Sequence, residues 1–388
     1  MSILLHTFAN NSLYHHGKIT VTIKTKTIRG KLRLLAASAA AALLFATGDA
    51  SACTGITLKS KDGSTVLART IEWGGSDLNS RYVIVPRGYT QSSYIPGGTK
   101  GGMAFTSRYG FVGLAVEQEE FVAEGLNEEG LSAGLFYFPR YGQYEDYTEA
   151  NKATSIADLQ LVSWILGNFK TVDEAVAGLK DVHVVAIDPR ASTVHWRIAD
   201  TTGRQVVIEI VDKKVNVYEN KLGVLTNSPG FEWQMTNLAN YVNLYPGTAK
   251  TKDMGGITIT STGAGSGFLG LPGDVTPPSR FVRAALYQTT APLPDSADNT
   301  VRACFQILNN FDIPVGIETA EGETAADIPS ATQWTSATDL AGRKIYYRTM
   351  YNSAIREIDL NSINFGNTRY KTAPLDDVKE QPFIPVKK

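Results

Sequence analysis

The order of apolar and polar positions divides the chain into runs of strands and runs of helices. Residues 54–58 and 65–71 alternate as two short strands, and Lys61-Asp62-Gly63 between them predicts a β-hairpin. Residues 109–116 and 131–138 read as further strands, rich in glycine and aromatics. The period then lengthens. Ser155 with Asp158 predicts a capped helix to about residue 168, and Thr171 with Glu174 forms a capping box for a helix over 172–180. Alternation returns at 194–198, 206–210 and 214–218, with Asp200-Thr201-Thr202-Gly203 as the first turn. Helical spacing marks 231–242, 279–287 and 300–309, and strands close the pattern at 333–337, 343–349 and 356–360. Residues 319–330 read as a loop, and the tail from Lys371 as extended. Blocks of strands and blocks of helices imply an α+β fold, with two antiparallel sheets between helices, rather than a regularly alternating parallel sheet.

The first 52 residues follow a different pattern. A basic run (Lys24, Lys26, Arg29, Lys31, Arg33) precedes 12 apolar or small residues, 34–45, and Ala50-Ser51-Ala52 supplies a small-residue cleavage site. That is the layout of a secretory signal, and its apolar core is too short to span a membrane. Residues 1–52 are therefore expected to be removed, leaving 53–388 as one domain exported to the periplasm or the medium. Such a chain carries 31 basic and 37 acidic residues. It lacks the basic excess that binding to nucleic acid needs, and no later apolar run reaches membrane-spanning length. Two cysteines exclude a disulfide scaffold.

Cleavage after Ala52 makes Cys53 the first residue. Two chemistries follow: a lipidated anchor on a surface binding module, or a thiol nucleophile whose own α-amine is the base. Ala50 stands where lipoprotein processing favours leucine, which weakens the first. A free α-amine titrates near neutrality and needs no histidine. His183 and His195 lie 130 and 142 residues beyond Cys53, a papain-like separation. Yet Cys53 opens a strand rather than a helix, and His195 reads as a structural or surface residue. Arg69, on the return strand of the hairpin, can come back beside Cys53 and lower the thiol pKa. Glu72 can hold the amine.

Five motifs occur in order: Cys53-Thr54-Gly55; Arg69-Thr70-Ile71-Glu72-Trp73; Gly125-Leu126-Asn127-Glu128-Glu129-Gly130-Leu131; Leu225-Thr226-Asn227-Ser228-Pro229; and Leu271-Pro272-Gly273-Asp274 through Arg280-Phe281. Together they resemble the choloylglycine hydrolase family of bile salt hydrolases and penicillin V acylases, over residues 53 to about 360. The resemblance implies the four-layer αββα fold of N-terminal nucleophile hydrolases and hydrolysis of a linear amide through a thioester. Cys53 matches the nucleophile and base, Arg69 the arginine beside the sulfur, and Arg280 the arginine that steadies the site. Asn227 matches the side-chain oxyanion donor and Tyr137 the backbone one. Glu72 stands where the family has aspartate. At the Tyr137 position bile salt hydrolases tend to carry asparagine and penicillin V acylases tyrosine, so the substrate stays open. No metal or organic cofactor is implied.

Ile71, Trp73, Phe136 and Phe138 are candidates for an apolar substrate pocket. The segment 241–256 resembles the loop through which family members form a homotetramer. Gly265 to Gly270 matches a dinucleotide fingerprint, but Leu271-Pro272-Gly273 follows where a helix should open. Cys304 reads as a buried structural thiol, and Glu117, Glu119, Glu120 and Glu124 as a solvated acidic stretch.

Overall fold

The computed structural model describes residues 52–387 apart from 189–191, 323–327 and 329. The signal segment expected over 1–52 lies, except for Ala52, outside the described residues. Nineteen strands are seen among the described residues. In chain order they are β1 (Ala52–Lys59), β2 (Thr65–Trp73), β3 (Arg81–Val85), β4 (Thr90–Ile95), β5 (Thr99–Thr106), β6 (Phe111–Ala115), β7 (Val122–Asn127), β8 (Ser132–Tyr137), β9 (Ser155–Ala157) and β10 (His183–Val185). β11 (Val194–Ala199), β12 (Gln205–Val211), β13 (Lys214–Glu219), β14 (Lys252–Met254) and β15 (Ile257–Ile259) follow. β16 (Ala331–Asp339), β17 (Lys344–Thr349), β18 (Arg356–Asp359) and β19 (Lys371–Pro374) complete the set. The α-helices are α1 (Leu161–Asn168), α2 (Val172–Gly178), α3 (Phe231–Asn237), α4 (Pro277–Thr290) and α5 (Ala297–Leu308).

Two antiparallel sheets carry the fold. One has the order β1-β2-β16-β17-β18, the other β13-β12-β11-β8-β7-β6-β3-β19. They stack face to face; α4 and α5 cover the outside of the first and α1 the outside of the second. This is the expected four-layer αββα arrangement. Eight of the nine β2 residues are buried, because neighbours cover both of its faces. Its partner β1 is a sheet edge.

The elements the pattern predicts lie close to where it puts them, but it predicts none of β3, β4, β5, β7, β10, β14 and β15. The exception before α1 has a physical cause. Ser155 does not cap a helix; it belongs to β9, which pairs in parallel with β10, and a single 3-10 turn separates it from α1. Long-range pairing has overridden a local cap signal. Thr171 does cap α2, its Oγ1 accepting from Glu174 N at 3.2 Å, while the Glu174 carboxylate reaches back to Lys170 N. The dinucleotide-like glycines hold only a 3-10 turn at Ser266–Phe268.

Candidate active site

In the antiparallel ladder Cys53 faces Ile71 and Gly55 faces Arg69, so these four side-chain positions share the face turned toward the second sheet. Arg69 Nη2 donates to Cys53 Sγ at 2.9 Å. Gly55 is required there: a Cβ would stand 2.9 Å from both Arg197 Nη1 and the Phe136 ring. The open edge of β1 is closed by a single bridge, in which Gly55 N donates to Leu225 O at 2.7 Å and Leu225 N to Gly55 O at 3.1 Å.

That bridge delivers Asn227. Its Oδ1 accepts from Cys53 N at 2.9 Å and from Arg280 Nη2 at 2.7 Å. Two donors on one atom fix the orientation of the carboxamide, so Nδ2 points to Tyr137 O, 2.7 Å away. Nδ2 retains a second hydrogen. Tyr137 ends β8, and its backbone N–H is directed at the Cys53 thiol.

Arg280 sits in the first turn of α4, whose start is set by Pro277-Pro278. From there its Nη1 reaches Cys53 O and Thr54 Oγ1, and its Nε reaches Val275 O. The side chain is fully buried, and burial lowers its pKa from the usual arginine value. Arg280 thus ties the nucleophile strand to the Asn227 carboxamide.

Cys53 N is here the amide of the Ala52–Cys53 bond. In this state burial pushes the Cys53 thiol above its ordinary value, and the Glu72 carboxylate adds to the rise. Arg69, the Tyr137 N–H and Arg280 all pull the other way. The expectation of a thiol lowered by Arg69 is thus right in direction for that residue but outweighed by burial.

Glu72 pairs with Ala52 across the ladder and lies on the opposite sheet face from the thiol. Its Oε1 accepts from Thr332 Oγ1 at 3.2 Å, and Oε2 has no hydrogen-bond partner. In this state the Cys53 N–H goes to Asn227; Glu72 is expected to hold the α-amine of the chain beginning at Cys53. Burial raises Glu72 to about 7, against the attraction of Arg280.

A cavity of about 420 Å³ opens onto Ala52, Asn227 and Arg280, with Tyr141, Pro277 and Glu318 in its wall. None of the four apolar candidates lines it. Ile71, Phe136 and Phe138 are buried. Phe136 stands beside the Arg69 guanidinium, and Phe138 stacks on the His195 ring at 4.4 Å. Trp73 and Tyr137 are only partly buried and meet edge to face at 6.2 Å. Tyr141, 47% exposed, lines the cavity instead. Cys304 is buried in α5, with a thiol pushed up by burial.

Two networks escaped the sequence reading. His195 is wholly buried, with Nδ1 3.0 Å from Glu209 Oε1 and Nε2 3.1 Å from Thr226 O, directly before Asn227. Glu124 is a correction: it is 1% exposed in the middle of β7, not solvated. Its surroundings come from remote strands, so the local acidic sequence carried no sign of burial.

Comparison with known proteins agrees with this fold. A family model described as linear amide C–N hydrolases, choloylglycine hydrolase family, matches residues 53–377. A bile salt hydrolase/transferase from Clostridium perfringens is 33% identical over 326 residues, covering 82% of this chain and 96% of the relative. A penicillin V acylase from Pectobacterium atrosepticum is 26% identical, covering 80% and 81%. A solved conjugated bile acid hydrolase from Clostridium perfringens superposes with a TM-score of 0.75 at 31% identity, covering 86% of this chain and all of that one.

Proposed function

The chain belongs to the choloylglycine hydrolase family of linear amide C–N hydrolases, and on that premise we propose that it cleaves the amide of conjugated bile salts with Cys53 as nucleophile. The observation that carries this reading is the convergence of Arg69 Nη2, the Tyr137 N–H and the Asn227 carboxamide on Cys53.

Removal of residues 1–52 on export turns Cys53 N from an amide into an α-amine. That amine takes the thiol proton, and the sulfur attacks the substrate carbonyl carbon. Negative charge collects on the carbonyl oxygen, where the second Nδ2 hydrogen of Asn227 and the Tyr137 N–H receive it. The ammonium returns its proton to the leaving nitrogen, the C–N bond breaks, and a thioester to Cys53 remains. Water, deprotonated by the amine, then releases the acid. The positive charges of Arg69 and Arg280 favour the thiolate, and the new ammonium adds a third.

A second reading is a penicillin V or other N-acyl amide acylase. Tyr137, paired edge to face with Trp73, favours it by offering a flat aromatic wall to an aryl or acyl group. Side-by-side hydrolysis of glycocholate, taurocholate and penicillin V by the chain beginning at Cys53 separates the two. Faster bile-salt turnover supports the first reading; cleavage of penicillin V alone supports the second. Cys53→Ala is expected to abolish turnover and the acyl adduct seen by intact mass. Retained activity would sink both readings. Edman sequencing of the exported protein tests the start at Cys53: a lipid-blocked end would remove the base.

The exposed hairpin β14–β15, with Met254 63% and Ile257 64% exposed, supports assembly through this segment. Light scattering of the mature chain tests for the tetramer.

A further inference from the structure

Behind Arg69, between the two sheets, lies a buried charge system that the mechanism above does not use. Glu124 Oε2 is 3.6 Å from Arg69 Nη1, and Glu124 Oε1 is 3.7 Å from Arg197 Nη2; all three side chains are at most 1% exposed. The carboxylate stands almost midway between two guanidiniums, closed on neither. Ser132 Oγ steadies it, donating to Oε1 at 3.3 Å. Gly134 makes the room, since a Cβ there would collide with the carboxylate.

Directional bonds do not explain why Glu124 is there. Arg69 gives its Nη1 hydrogens to the carbonyls of Ala123 and Leu135, its Nε to Thr70 O and its Nη2 to Cys53 Sγ. What Glu124 supplies is charge. Arg197 has one carbonyl acceptor, Ile56 O, while its Nε and Nη2 have no hydrogen-bond partner. Both guanidiniums flank the Phe136 ring, at 4.1 and 5.4 Å from its centroid. Two cations around one ring in a buried layer repel strongly. Burial and the proximity of Arg69 both push Arg197 below the usual arginine value.

We propose that Glu124 and Arg197 are a matched pair of positioning residues for the thiol. Glu124 cancels the repulsion that would drive Arg69 off the sulfur. Arg197 holds the other carboxylate oxygen and so prevents Glu124 from drawing Arg69 away. Neither touches Cys53 or the cavity; both act through Arg69. The other charged or titratable groups near this layer are Glu72 and Arg280 on the helix side, Cys304 beside Arg197, and His195, edge-on to the Phe136 ring at 6.2 Å and bound to Glu209.

This inference rests on Cys53 being the nucleophile, so its test reads the thiol without substrate. The rate of Cys53 alkylation by iodoacetamide is followed against pH on the mature chain, with Cys53→Ala as the blank for Cys304. Glu124→Gln and Arg197→Met are each expected to slow alkylation at pH 7 about tenfold, the effect of one unit in thiol pKa. The double variant is expected to recover to within about threefold of the parent, because Arg69 keeps its carbonyl bonds and loses both competing charges. A merely structural role gives losses that add and no shift in the pH midpoint. Single variants that alkylate like the parent, or a double variant slower than either, would overturn the proposal. If Glu124→Gln does not fold, Arg197→Met against Arg197→Lys carries the test. The lysine variant is expected within about threefold of the parent; equal rates for the two would overturn it. A thiol silent in the parent chain overturns both the triad and the nucleophile. The expected alkylation pattern with no amide cleaved would instead fault the substrate assignment alone.

Discussion

Cys53 and Asn227, 174 residues apart, are joined by a 2.9 Å hydrogen bond from the backbone nitrogen of the first to the carboxamide oxygen of the second. The same carboxamide is locked by Arg280 on its oxygen and by Tyr137 O on its nitrogen. One side chain therefore aligns the Cys53 backbone nitrogen and fixes where its own Nδ2 points.

Asn227→Ala is expected to reduce kcat by roughly 10² to 10³, about 3 kcal/mol of barrier, as for removal of an oxyanion donor elsewhere. Alkylation of Cys53 should change far less, because Arg69 and the Tyr137 N–H remain on the sulfur. Equal losses in both assays would mean that Asn227 serves the thiol rather than the oxyanion.

Glu72 makes the uncleaved chain sensitive to pH. Its folded value of about 7 lies above the ordinary 4.5 because burial disfavours the charged form. The native state thus holds a proton that the unfolded state has released. The associated stability is complete below pH 4.5 and is lost as pH rises through about 7. Asp158, raised to about 7 by burial, acts in the same direction, so the comparison must be with a variant. Glu72→Gln in a chain retaining Ala52 should shrink the loss of unfolding free energy between pH 4.5 and 7.5 by up to about 3 kcal/mol in urea titrations. In the chain beginning at Cys53 the nearby ammonium should narrow this difference. Identical pH profiles for parent and variant would contradict the assignment.

His195 bridges Glu209 Oε1 and Thr226 O through its two ring nitrogens. Glu209 Oε1 also accepts from Phe231 N at 2.9 Å. His195→Ala would strand that buried carboxyl, and a stability loss of about 3–5 kcal/mol is expected by chemical denaturation. Turnover by the folded fraction should fall less than for Asn227→Ala, since only the approach of Thr226 to its neighbour is loosened. A loss below about 1 kcal/mol would show that the network is dispensable.

The parts legible in the sequence are those whose cause is local. Alternation and an Asp-Gly turn specify β1 and β2, and Pro277-Pro278 specify the start of α4. The sequence reading of Cys53, Arg69, Asn227 and Arg280 brings together residues that do converge, because short motifs carry them; Tyr137, outside those motifs, joins them from the end of β8. Glu72, expected at the amine, has its side chain on the sheet face opposite the thiol. Glu124 looked solvated because its burial depends on Arg69 and Arg197, from strands well before and after it. Ser155 looked like a cap because nothing nearby reveals its pairing with His183. Phe136 and Phe138 looked like pocket walls, yet cations and an imidazole occupy their faces.

The neighbours of β2 in its sheet are β1 and β16, one from each end of the described chain. During synthesis the thiol emerges first among the site residues and Arg280 last, and the strand that completes their sheet emerges later still. Such remote pairing folds slowly, because long loops must close before any contact rewards them. A nascent chain therefore carries Cys53 and Arg69 long before the Asn227 carboxamide and Arg280. The cluster closes only when nearly the whole polypeptide has been made.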